Sequence, residues 1–229
     1  EIAHWTYFGR AKSGFSTVSL GSEFITLEII LKRYIQLTKT LSIIGLLGGL
    51  IATILIMISG DTFGLPGSTD YRVYENFNRV MALLLFFQAC TLIAFYQRIQ
   101  DDLPRLGQIT NIVVIVAWIG MAVGTAAEFW LYSDLPYGVS NMRSTAFSVF
   151  SISGLFVGIG LLVLGIVVLR NRRIPRYNGI IFILYLPVDI VLFIGGQSIF
   201  ISSALLSIVV AIFTLRSNSQ PVGSSIEAA

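Results

Sequence analysis

Long apolar runs alternate with short polar stretches along this chain. Six runs stand out, at residues 41–59, 80–96, 109–131, 146–169, 180–194 and 199–215. The clearest is Ala146–Leu169, 24 residues without a charge. At ~1.5 Å per helical residue it reaches roughly 36 Å, more than the ~30 Å hydrocarbon core of a bilayer. Each run is therefore expected to be a membrane-spanning helix. The fold class expected is all-α, a polytopic six-helix transmembrane bundle over residues 41–215.

Upstream, the pattern changes. Phe24, Leu27, Leu31 and Ile35 recur at three- and four-residue spacing, with Glu28, Lys32, Arg33 and Gln36 between them. That periodicity predicts an amphipathic helix over 22–39, too charged to span and suited to the membrane interface. The alternative is a plain lead-in to the first span. Residues 1–40 are thus read as a polar arm plus this helix, and 216–229 as a Ser-rich flexible tail.

The polar connections carry their own signals. Gly60, Gly64, Pro66 and Gly67 predict a loop over 60–79, in which Glu75 and Arg79 have the spacing of an i,i+4 ion pair. Pro104 and Gly107 make 97–108 non-helical at least in part. Gly195, Gly196, Gln197 and Ser198 predict a tight hairpin between the last two helices.

Composition agrees with the pattern. Hydrophobic residues make up 55% of the chain and charged ones 12%, with a mean hydropathy of +0.83. A soluble domain carries about 25% charged residues, so too little charge is present to cover a water-facing surface. The net charge of +3 gathers at one end of the spans, most densely at Arg170, Arg172, Arg173 and Arg176. With that end cytoplasmic, ten of the Lys and Arg residues from Lys32 onward fall inside and three outside, which places both termini in the cytoplasm of a cell-membrane protein. Trp130, Tyr132 and Tyr137 on one side, and Tyr96 and Tyr177 on the other, fit aromatic belts. This charge sets orientation; it is no nucleic-acid footprint.

Around Arg170–Gly179, RNRRIPRYNG, the chain resembles a group of bacterial six-span integral membrane proteins. These carry a basic, proline-containing inner loop before a short fifth helix. The likeness covers roughly spans one to five. The group has no established activity, so the resemblance implies the fold and nothing about function.

Candidate packing positions are the GxxxG pairs Gly45/Gly49, Gly120/Gly124 and Gly154/Gly158, where small residues let helix backbones approach. Catalytic chemistry is harder to find. The one histidine, His4, and the one cysteine, Cys90, form no metal-ligand or nucleophile–base pattern, and no phosphate-binding loop occurs. No metal, no cofactor and no enzymatic activity are expected. Glu128, beside Trp130, is read as interfacial.

The sharpest candidate is Asp189. It lies about ten residues beyond Gly179, roughly 15 Å into the apolar layer and hence near the midplane. An aspartate there costs at least ~2.5–3.5 kcal/mol, so it should face the bundle. Pro187 removes a helical N–H and frees the Ile183 carbonyl, so the structural alternative is a protonated Asp189 bonded to a freed carbonyl or to Tyr185, one turn away. Gln88 and Ser207, each midway along its own span, share that depth and are candidate partners. Two functions follow as expectations. The first is a non-enzymatic accessory or assembly subunit of a larger membrane complex, partnered by the bilayer and by other membrane subunits or copies of itself. The alternative is a small-solute or proton-coupled transporter, or its substrate-binding component, using Asp189.

Overall fold

Backbone buried in hydrocarbon must satisfy every N–H and C=O internally, which leaves the helix as the structure open to an apolar run. In the computed structural model every element among the described residues is helical. These residues are 18–59, 69–135, 141–171, 173–194 and 200–217. The polar arm with His4, the Gly60–Gly67 turn, Tyr137, Arg172, the 195–198 hairpin and the 218–229 tail lie outside them. The helices are α1 (Val18–Ser59), α2 (Thr69–Ile99), α3 (Arg105–Ala126), α4 (Met142–Arg170), α5 (Arg176–Ile194) and α6 (Phe200–Ser217). A 3-10 turn follows α2 at Gln100–Asp102, and a π-helical turn follows α3 at Ala127–Leu131.

Four stretches are long and apolar enough to cross a membrane: Lys32–Ile58, Tyr71–Asp102, Arg105–Leu131 and Met142–Arg170. They mark the chain as a membrane protein with a six-helix fold. The apolar stretch of α6, Phe200–Arg216, is shorter. The chain divides into two compact units, residues 1–35 and 36–229. The first contributes the opening turns of α1, and the second holds the bundle.

Local chemistry sets the helix ends. Leu103 is extended (φ −88°, ψ 138°) because the following proline disfavours helical geometry, so α2 and its 3-10 turn stop there and α3 starts directly after Pro104. Asn141 caps α4, its side chain accepting from the Ser144 N–H at 2.9 Å, an interaction worth about 1 kcal/mol. Pro175 precedes the first turn of α5, where a missing N–H costs nothing.

Within the second unit, α3 packs between α2 and α4, α5 packs on α4 and α6, and α6 also packs on α2. Residues 36–59 of α1 lie along α2 and α6. A Cβ on Gly48 would sit 2.7 Å from Phe87, and one on Gly49 would sit 2.9 Å from the Ala204 carbonyl. The centre is aromatic: Phe95 meets Phe182 and Phe213 edge-on, and Trp118 lies against Tyr185 with ring centroids 5.9 Å apart.

Several expectations change. The stretch 69–79, expected as loop, is the start of α2. Tyr71 and Asn78 are buried there, so this polar segment is a helix that packs on protein rather than on lipid. Gly107, expected as a breaker, lies inside α3, where its missing side chain admits Val167: a Cβ would come within 2.9 Å of it. The amphipathic segment 22–39 and the first span form one helix, α1. Glu75 and Arg79 do not pair. Arg79 Nε donates to the Phe129 carbonyl (2.7 Å) and its Nη1 to Asn76 (3.2 Å), while Glu75 pairs with Arg143.

Candidate functional site: polar groups in the bundle core

On α5, Asn178, Phe182, Tyr185 and Asp189 follow one another at four-, three- and four-residue spacing and so share one helical face. This face turns inward. Asn178 and Phe182 are fully buried and Tyr185 is 5% exposed, while Asp189 is half-buried. Core aromatics fix the face from two sides, Phe95 of α2 against Phe182 and Trp118 of α3 against Tyr185.

The helix α3 runs in the same direction as α5. Asn111 precedes Trp118 by seven residues, as Asn178 precedes Tyr185. Two helical turns, about 10 Å, return a residue to nearly the same face. The two asparagines therefore lie on the faces that bring Trp118 and Tyr185 together, nearer the arginine-rich end of the bundle. Gln88 occupies the core face of α2, seven residues from Phe95 on the side away from that end. All three carboxamides have 0% exposure. None of their side-chain nitrogen or oxygen atoms, nor the Trp118 indole nitrogen, makes a hydrogen bond among the described residues.

Asp189 closes this file of polar groups at the other end. The Ser202 hydroxyl of α6 donates to Asp189 Oδ1, and Tyr185 shares the same carboxyl. Tyr185 is one of the partners expected for it; the other two, Gln88 and Ser207, are engaged elsewhere or make no bond to it. Ser207 donates to the Gly45 carbonyl (2.9 Å) and meets Thr91 (3.0 Å), a buried knot joining α1, α2 and α6. Gln88 makes no bond to Asp189. The reason is position along α5: the helix begins at Arg176 and ends at Ile194, so Asp189 stands five residues from its end. That is level with the first turn of α6, not with the middle of the bundle. Pro187 is on the exposed side of α5.

A second polar cluster sits at the end of the bundle away from the arginines. Arg143, 3% exposed, donates through Nη1 to the carbonyls of Ser133 (2.7 Å) and Leu135 (2.9 Å). Its Nη2 reaches Glu75 (3.3 Å) and the Tyr71 hydroxyl. The guanidinium also lies over the Tyr71 and Phe129 rings at 5.8 and 5.9 Å. Glu128, expected at the interface, is buried in the π-helical turn. That turn is clasped to α2: Arg79 bonds the Phe129 carbonyl, and Trp130 Nε1 donates to the Arg79 carbonyl at 3.1 Å. These bonds fasten the π-helical turn and the start of α4 to α2.

The GxxxG residues also close contacts inside the chain. Gly45 meets Thr91, Gly49 meets Ala204, Gly120 meets Ser153, Gly124 meets Phe150 and Gly158 meets Leu186. A Cβ added at any of these five glycines would stand less than 3 Å from the neighbour named. Gly154 differs, with nothing nearer than Met121 Sδ at 3.9 Å. Among the described residues no group of three or more His, Cys, Asp or Glu side chains is placed to hold a metal ion. Asn111, Asn178 and Arg143 are residues that the sequence pattern does not single out. The seven-residue offsets from Trp118 and Tyr185 are the signal that identifies the two asparagines. No family model matches the chain, and no curated protein or solved structure matches it.

Proposed function

We propose that the chain is a proton-coupled transporter of a small polar solute, with Asp189 as the titrating group and Asn111, Asn178 and Gln88 lining the route. The observation that carries this reading is the set of three wholly buried carboxamides on the core faces of α2, α3 and α5, none with a partner among the described residues. A buried, unsatisfied polar group costs about 1–3 kcal/mol. Three of them would consume a large share of the ~5–15 kcal/mol that holds a domain together. Groups this costly are satisfied by water or by a polar solute. A carboxylate in line with them supplies a site that can gain and lose a proton. The arginine-rich end is the cytoplasmic one in this reading, as the ten-to-three distribution of basic residues favours. Reporter fusions at the C-terminus are then active as cytoplasmic fusions; an external C-terminus reverses the direction of the route.

Thiol accessibility tests the route itself. In a Cys90→Ala background, Asn111→Cys and Asn178→Cys should react with a small water-soluble methanethiosulfonate. Leu164→Cys, at an equally buried apolar position, should stay silent. Silence at all three positions would mean a dry core and would sink the proposal.

A second reading, an accessory subunit of a larger membrane complex, is favoured by Gly154. It is the GxxxG residue that closes no tight contact within the chain, meeting Met121 at an ordinary 3.9 Å, and it is only half-buried, so its face of α4 can admit a helix from another chain.

A further inference from the structure

At the arginine-rich end, a cleft of about 360 Å³ opens between the C-terminal turns of α2 and α6 and the connection from α4 to α5. Its polar lining is Arg98, Arg173, Arg216, Asp102 and Tyr177. Ile99, Ile174, Pro175 and Phe213 give it an apolar floor. We propose that this cleft binds the phosphate of an anionic phospholipid headgroup.

Three features converge on that ligand. Arg98, Arg173 and Arg216 bring three guanidinium groups to the cleft, and their forked N–H donors match the oxygens of a phosphate. Pro175 and Tyr177 bring the N-terminal turn of the 19-residue α5 to the cleft wall, and the amides and dipole at such an end favour a phosphate. The floor is apolar and lies where the spanning stretch of α2 and the shorter apolar stretch of α6 finish, the level at which a headgroup meets its acyl chains. Arg98 and Arg216 also suit the C-terminal turns that carry them, where cations are favourable. Arg173 has no such duty, because it stands on the connection.

The Arg173–Asp102 pair shows how the site would load. Arg173 Nη1 is 3.1 Å from Asp102 Oδ1, and the Arg173 side chain is 78% exposed. An exposed pair of this kind is weak. A phosphate oxygen offers the guanidinium a stronger, bidentate partner. Asp102 thus acts as an internal competitor that the ligand displaces.

The full-length chain in uncharged detergent can be titrated with phosphatidylglycerol or phosphatidylcholine and followed by native mass spectrometry. Phosphatidylglycerol should bind in preference. Arg173→Gln should weaken that binding about tenfold, the usual scale for one charge-assisted hydrogen bond. Asp102→Asn should tighten it by removing the competitor, a gain that a purely structural role for the pair would not produce. Equal binding of the two lipids, or an Asp102→Asn variant that binds no more tightly, overturns the proposal. Displacement of the lipid by millimolar inorganic phosphate assigns the cleft to a soluble phosphate and overturns the lipid as its source. Arg173 is exposed and none of the core carboxamides lines the cleft, so failure here leaves the transport reading untouched.

Discussion

Gly124→Ala is expected to destabilise the chain strongly. A Cβ at this position would fall 2.6 Å from the Phe150 backbone nitrogen, 2.9 Å from its Cα and 3.0 Å from the Ala146 carbonyl oxygen. All three are backbone atoms of α4, so no side chain can rotate away and the two helices must separate. Overpacking of a core costs about 1–3 kcal/mol, and a backbone clash places this change at the top of that range or beyond it. Gly154→Ala is the matched control, since its nearest neighbour is 3.9 Å away and ordinary contact results. Thermal unfolding in detergent should show a large fall in Tm for the first variant and little change for the second. Equal behaviour of the two would mean that α3 and α4 do not meet at Gly124.

Arg143→Met should be nearly as damaging, for an electrostatic reason. It removes the partner of Glu75, whose side chain is 15% exposed, and strips the Ser133 and Leu135 carbonyls of a donor. Breaking a buried pair from one side costs about 3–5 kcal/mol, because the remaining charge stays buried. Combining it with Glu75→Gln should recover part of the loss, since the stranded charge is then gone. Additive losses in the double variant would show that the pair is not coupled. Arg173→Met, removing an exposed arginine from an ion pair of similar length, should change stability by less than about 1 kcal/mol.

The contrast between these two arginines also shows what is legible in the sequence. Apolar runs announce helices directly, because the bilayer leaves the backbone no other choice, and all six runs are helical wherever the structure describes them. Polar helical turns are harder to read. Tyr71, Tyr74, Glu75 and Asn78 look like loop by composition, yet their three- and four-residue spacing packs one face against the Arg143 cluster. Arg143 itself reads as a loop charge until α4 is seen to start at Met142 and carry it inward.

Depth along a span is hard to read for a similar reason. Counting from Gly179, the edge of the apolar run, puts Asp189 at the midplane; counting from Arg176, where α5 begins, moves it toward the far end. Lateral neighbours are set by packing, which hydropathy does not encode. Ser207 faces α1 rather than α5, so it serves Gly45 and Thr91 and leaves Asp189 to Ser202. Asn111 and Asn178 escape a hydropathy reading because each lies at the border of an apolar run, where an amide reads as interfacial.

Proton flux across a bilayer decides whether Asp189 works as a titrating group in transport. The purified chain is reconstituted into liposomes that enclose a pH-sensitive dye, and a potassium gradient with valinomycin makes the interior negative. Acidification is expected to run well above the leak of protein-free vesicles. It should return to that leak in Asp189→Asn, which keeps the shape and hydrogen bonding of the side chain but cannot titrate. Wild-type vesicles that acidify no faster than empty ones, or an Asp189→Asn variant as fast as wild type, would contradict proton coupling through this residue.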